Sequence, residues 1–164
     1  MTPTADRLLD SCEMLQNAVS KEIAGHEREW ATRLGAALGH VEKSLRQHIT
    51  DADAPAGLFA TEVDLTRPSL VRKVGRLRRD HEDFSERATA LRKEVEAAAQ
   101  VFTRPKLAAQ NANDLPEAAP GPGIADIGAV RQSVEAFLAA LLQHRDQEAN
   151  IAIESVTTDL GAGD

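Results

Sequence analysis

Cysteine occurs once, at Cys12, so no disulfide can form within the chain and a cysteine-rich zinc site is excluded. Tyrosine is absent, tryptophan is limited to Trp30 and only four phenylalanines are present, so oxidative chemistry here would have no tyrosine to relay electrons. Sheets favour aromatic and β-branched residues, and this sequence is instead rich in Ala and Leu, which are strong helix formers. Positive charge is also short: the net charge of −7 argues against a general nucleic-acid binder, because phosphate backbones would repel it. No stretch approaches the roughly 18 uncharged apolar residues of a membrane span. The start, MTPTADRLLD, lacks the basic region and apolar core of a secretory signal, so a cytoplasmic location is expected. No phosphate-binding glycine loop or serine–histidine–aspartate pattern is present, which leaves the common hydrolase and nucleotide-enzyme classes without support.

What is present is helical periodicity. With 164 residues and 42% apolar composition, one domain spanning 1–164 is expected. A first tract runs from about Thr4 to His48 or slightly beyond. Its apolar residues recur at helical spacing through Leu8, Cys12, Leu15, Val19 and Ile23, then through Leu34, Leu38, Val41, Leu45 and His48. As one unbroken helix it would be roughly 67 Å long. Gly25 lies between the two series, where glycine is costly in a helix interior, and a bend is expected there. The connection 50–68, punctuated by Pro55, Gly57 and Pro68, carries Leu58, Phe59 and Val63 as core-capping residues.

The second tract, Ser69 to about Phe102, has a clean seam of Leu70, Val74, Leu77, His81, Phe84, Ala88, Leu91 and Val95. The charge run from Arg72 to Asp80 falls largely off it and reads as a solvated face. Residues 103–123, TRPKLAAQNANDLPEAAPGPG, read as a flexible linker because Pro, Asn and Gly remove helix propensity. The third tract, about Ile124 to Thr158, has a seam of Ile127, Val130, Val134, Phe137, Leu141, His144, Glu148, Ile151 and Ser155. With a bend at Gly25 the chain supplies four helices, and an all-α, up-and-down four-helix bundle is expected.

Three of the five histidines fall on these apolar seams: His48, His81 and His144. If the second and third tracts are antiparallel, His81 and His144 lie at matching depth. His48 stands close to the end of its tract, so it reaches that depth only if its helix continues toward Ala54 or the connection climbs before returning. His40 matches the depth better but sits one position off the seam. His26 joins the set only if a turn near Gly25 folds its helix back, since an uninterrupted helix puts it roughly 33 Å from His48. Glu148 shares a helix face with His144, and Glu22 can share one with His26. Helical His with Glu or Asp, drawn from several helices of a bundle, is the donor set of non-haem iron or manganese, the cation offsetting the cost of burying such groups. The metal-ligand set read from the seams is therefore His48, His81, His144, Glu148 and His26. The bland alternative is a hydrogen-bonded polar network in a metal-free bundle that dimerises or binds a protein partner.

The segments LRQHITDAD, GLFATEV, RPSLVRKVGRLRRDHEDF and LAALLQHRDQEANIAIESVTTDLGAGD resemble the hemerythrin-like (HHE cation-binding) family over roughly Trp30 to Asp164. The most specific part is an L-x-x-D-H helix, here Leu77, Asp80 and His81, followed by an H-x-x-x-E helix, here His144 and Glu148. The resemblance implies a four-helix bundle holding two irons through histidines and bridging carboxylates, with roles in binding oxygen, acting on peroxide or nitric oxide, or sensing iron or redox state. It implies His48, His81 and His144 as ligands. The family pattern also has a glutamate four residues after the first of these, where this chain has Ala52. It has a histidine four before the second, where Leu77 stands, and a carboxylate five after the third, where Ala149 stands and Glu148 precedes it by one.

Overall fold

The structure is a computed structural model and describes residues 3–21, 25–55, 57–61, 68–101 and 127–159. Among these the chain forms four long helices and one short one: α1 (Pro3–Val19), α2 (Glu27–Asp53), α3 (Leu58–Thr61), α4 (Pro68–Val101) and α5 (Ile127–Asp159). The expected linker at 103–123 lies outside the described residues, as do Glu22 and Ile23.

The bend expected near Gly25 is a full break between α1 and α2. Gly25 has φ of 79°, the left-handed region that costs a residue with a Cβ and suits glycine. The carbonyl of His26 then accepts from the Trp30 amide at 2.9 Å, opening α2. Pro68 begins α4, where a missing N–H costs nothing and a fixed φ is already helical.

Apolar stripes decide how the long helices pack. Leu8, Cys12, Leu15 and Val19 of α1 are buried, as are Leu34, Leu38, Val41 and Leu45 of α2 and the whole α4 seam from Leu70 to Val95. Pairings show the directions. Glu42 of α2 accepts from Thr89 and Arg92 of α4, while Asp53, further along α2, meets Arg78, so the two helices are antiparallel. Along α4 and α5, Phe84 faces Phe137 and Lys73 pairs with Glu154, which makes that pair antiparallel too. Ser11 of α1 and Ser44 of α2 share a hydrogen bond of 2.7 Å, and Arg131 of α5 donates to the Lys21 carbonyl at the end of α1. The main contacts therefore close a ring in the order α1, α2, α4, α5, an up-and-down four-helix bundle.

The ends are not flush. Because Asp53 stands level with Arg78, the first ten or so residues of α4 extend past the end of α2. The connection fills this space with α3, whose Phe59 is buried against Ala52, Leu70, Val74, Leu77 and Ile151. Gly57 makes that return tight enough: a Cβ there would stand 2.2 Å from the Asp51 carbonyl oxygen and 2.5 Å from that of Ala52. Among the described residues, no helix is long and apolar enough to cross a membrane.

Candidate metal centre

The buried apolar residues form two clusters. The larger includes Leu45, Phe84, Phe137 and Leu141, and the smaller is the group beneath Phe59. Between them lies one polar layer. On α2, His48 sits one turn from Leu45 and one turn from Ala52. On α4, His81 sits between Leu77 and Phe84. On α5, His144 and Glu148 sit between Leu141 and Ile151. All four polar residues are buried, although imidazoles and carboxylates are usually placed at the surface.

Their geometry is convergent. Glu148 Oε1 lies 2.8 Å from His48 Nε2, 3.1 Å from His81 Nε2 and 3.4 Å from His144 Nε2. One potential ligand atom from each residue can be chosen so that all four lie within 4.8 Å of one another. The rings also pack, with His81 4.7 Å from His144 and 5.3 Å from His48, centroid to centroid. Phe59 stacks at a tilt on His81 at 5.4 Å, and Phe84 meets His144 edge-on at 5.2 Å. The aromatic walls lower the local dielectric, which strengthens each polar interaction and raises the cost of any left unmade.

One is left unmade. A carboxylate oxygen has two lone pairs, and His48 and His81 occupy the hydrogen-bonding approaches to Oε1. His144 Nε2 comes near without a hydrogen bond, and His144 Nδ1 and His81 Nδ1 also lack a hydrogen-bond partner. An unsatisfied buried polar atom costs about 1–3 kcal/mol. A cation held by all three Nε2 atoms and Oε1 removes one such cost at a stroke. Tetrahedral ligands at metal-bond lengths of about 2.0–2.2 Å stand about 3.4 Å apart. The three N···O separations run from 2.8 to 3.4 Å, so the residues present fit one ion once His48 and His81 move outward by about half an ångström.

Further groups support the layer. Arg145 Nη1 donates to Glu148 Oε2 at 2.7 Å, holding the carboxylate so that its other oxygen faces the histidines. Asp80 Oδ2 lies 3.5 Å from His144 Nδ1, the position from which a carboxylate orients a metal-bound imidazole. Burial alone would raise the Glu148 pKa, but the three imidazoles facing it hold the carboxyl well below the usual range, so it is ionised. For His81, burial pushes the pKa down, opposed by Glu148, which favours the neutral ring that a metal requires.

The structure thus brings His48, His81, His144 and Glu148 together and leaves His26 apart. The chain turns before His26, which therefore stays on the same helix as His48, 22 residues away and roughly 33 Å along the axis. It stands exposed at the start of α2 with Glu29 3.6 Å from Nδ1. His40 is exposed as well. His48 reaches the layer because α2 runs on to Asp53 and the connection climbs past it. Arg145 lies off the apolar stripe, so the seams do not reveal it. Its signal was local: an arginine three residues before a seam glutamate faces it on the same helix.

Comparison with known proteins yields no matching family model, no significantly similar curated protein and no significantly similar solved structure.

Proposed function

We propose that this protein is a hemerythrin-like metal-binding bundle in which His48, His81, His144 and Glu148 hold one iron, with manganese as the nearest substitute. The observation that carries the reading is the convergence of three imidazole nitrogens on a single carboxylate oxygen inside an otherwise apolar layer. Three nitrogens and one hard oxygen suit a divalent first-row metal. A bound iron supplies oxygen, peroxide or redox chemistry, and the chain's own groups set its surroundings. Phe59 and Phe84 exclude water, Arg145 fixes the ligating oxygen, and Asp80, 3.5 Å from His144 Nδ1, stands where a carboxylate orients that ring.

A single ion is favoured over a pair. A second ion needs its own donors within the layer, yet one turn from His48 and His81 stand Ala52 and Leu77, both buried in the apolar cluster under Phe59. Ala149 is exposed on the outside of α5. These are the places where the family resemblance would put further ligands.

A second reading has its own support. Glu148 already bonds His48, His81 and Arg145, so a metal-free bundle acting as an interaction or dimerisation module would keep most of this polar network. Metal analysis separates the two. Protein produced with iron should carry about one equivalent, and His81→Ala and His144→Ala should each lose most of it while keeping their helicity. Wild-type protein that stays metal-free after loading with Fe(II), Mn(II) and Co(II), and dimerises regardless, overturns the metal reading.

A further inference from the structure

The charge balance of the layer goes further than its donor set. Of the four ligand groups only Glu148 carries charge, since neutral imidazoles are what bind a metal. That charge is already matched. Arg145 donates to Glu148 Oε2 at 2.7 Å, and its side chain is 16% exposed against 1% for the glutamate. An arginine is charged at any working pH and cannot neutralise itself by losing a proton. Its position on α5 also faces α1, close enough to the buried Cys12 to act on that thiol electrostatically. The other neighbouring charges are weaker influences. Asp80 lies behind His144 and is one-third exposed, so water screens it, and Arg78, over the Phe59 ring, is paired with Asp53 at the surface.

Three neutral rings and a carboxylate cancelled by a partly buried guanidinium make a cage whose ligands and clamp sum to zero charge. An ion entering it brings its whole charge into a poorly solvating layer, and the cost climbs steeply with each added unit. We propose that Arg145 is the charge-selecting residue of this centre: by cancelling the ligating carboxylate it makes the site favour a divalent cation over a trivalent one. The proposal rests on the metal reading above and adds which oxidation level the site holds and which residue decides it. Arg145 touches no metal; it acts through Glu148 and is a positioning and electrostatic residue.

The test is a competition between Co(II) and Ga(III), the latter supplied as its nitrilotriacetate chelate, so that no redox step enters. Metal-free wild-type protein, Arg145→Gln and Asp80→Asn are compared, with helicity checked for each. Glutamine keeps a donor for Glu148 Oε2 while removing the charge. The wild type should favour Co(II). Arg145→Gln should shift the Co(II)/Ga(III) affinity ratio toward gallium by on the order of tenfold or more, as expected when one unit of charge beside a buried ion is removed. Asp80→Asn should shift it the other way, by less because that carboxylate is screened. A ratio unchanged in Arg145→Gln, or both ions weakened equally, means that Arg145 only holds Glu148 in place and overturns the proposal. If Arg145→Gln fails to fold, Arg145→Lys decides: it keeps the charge and should keep the wild-type ratio, and a ratio shifted toward gallium there overturns the proposal. Wild-type protein that binds neither ion instead defeats the underlying metal reading, which distinguishes the two failures.

Discussion

Helix α2 sets a histidine against a glutamate near each end, its own Glu29 at the start and Glu148 of α5 near the far end, and the two pairs could hardly differ more. At its start, His26 and Glu29 are 73% and 66% exposed and stand 3.6 Å apart. Near its far end, His48 and Glu148 are 7% and 1% exposed, 2.8 Å apart, and joined by two further imidazoles. The residue types are the same. At the exposed end water solvates both groups, and an ion pair there is worth little. At the buried end the groups have given up water, so each must find a partner in the protein or in a ligand. Burial and convergence, not the presence of histidine and glutamate, make the candidate site.

That contrast is best broken from the buried side. Glu148→Ala removes the carboxylate from three imidazoles and leaves the Arg145 guanidinium in place without its partner. The expected loss is about 3–5 kcal/mol in the metal-free protein, as for other buried pairs broken on one side. Urea unfolding measures it, and a change under about 1 kcal/mol would show that the layer is not buried as described.

Cys12 sharpens the comparison, being a buried titratable group without a charged partner at bonding distance. Burial pushes its thiol pKa from 9.0 up to about 11, with Arg145 opposing the rise. A folded pKa raised above the unfolded value gives stability that is complete below about pH 9 and is lost as pH climbs toward 11. The wild type should therefore lose about 1–2 kcal/mol relative to Cys12→Ala across that window, read from paired denaturation curves. Parallel curves for the two proteins would contradict the burial of the thiol.

The smallest effect belongs to the exposed pair. His26→Ala should change stability by no more than about 0.5 kcal/mol, as surface substitutions do, and leave metal content at the wild-type level. Loss of metal in this variant would make the two ends of α2 alike after all.

Much of this arrangement is legible in the sequence, for a reason that also marks where legibility ends. Helical period alone puts His48, His81 and His144 on apolar stripes, and the buried faces of α2, α4 and α5 follow those stripes. The antiparallel return of α5 brings His144 to the depth of His81, as counting from the helix ends implies. Counting could not settle His48, because its level depends on how far α2 runs and how the connection climbs, and these follow from Gly57 and the seating of Phe59. His26 shows the opposite difficulty. Periodicity marks the break at Gly25 but cannot say on which side of it a neighbouring residue falls. Arg145 and Asp80 lie off the stripes and become visible only once helices face one another.

The polar layer also acts on the assembly of the chain, with or without an ion. Helices with uniform apolar stripes can slide past one another by a turn, about 5.4 Å, and still bury similar area. Here such a slip is penalised in both directions. Moving α5 one way drives His144 into the level of Leu45 and Phe84, and moving it the other way drives Glu148 toward Ala52 and Leu77. Either leaves a polar group among hydrocarbons without its partners, at a cost of several kcal/mol. The cluster is thus an alignment key: of the many near-equivalent stackings that four greasy helices allow, it admits one.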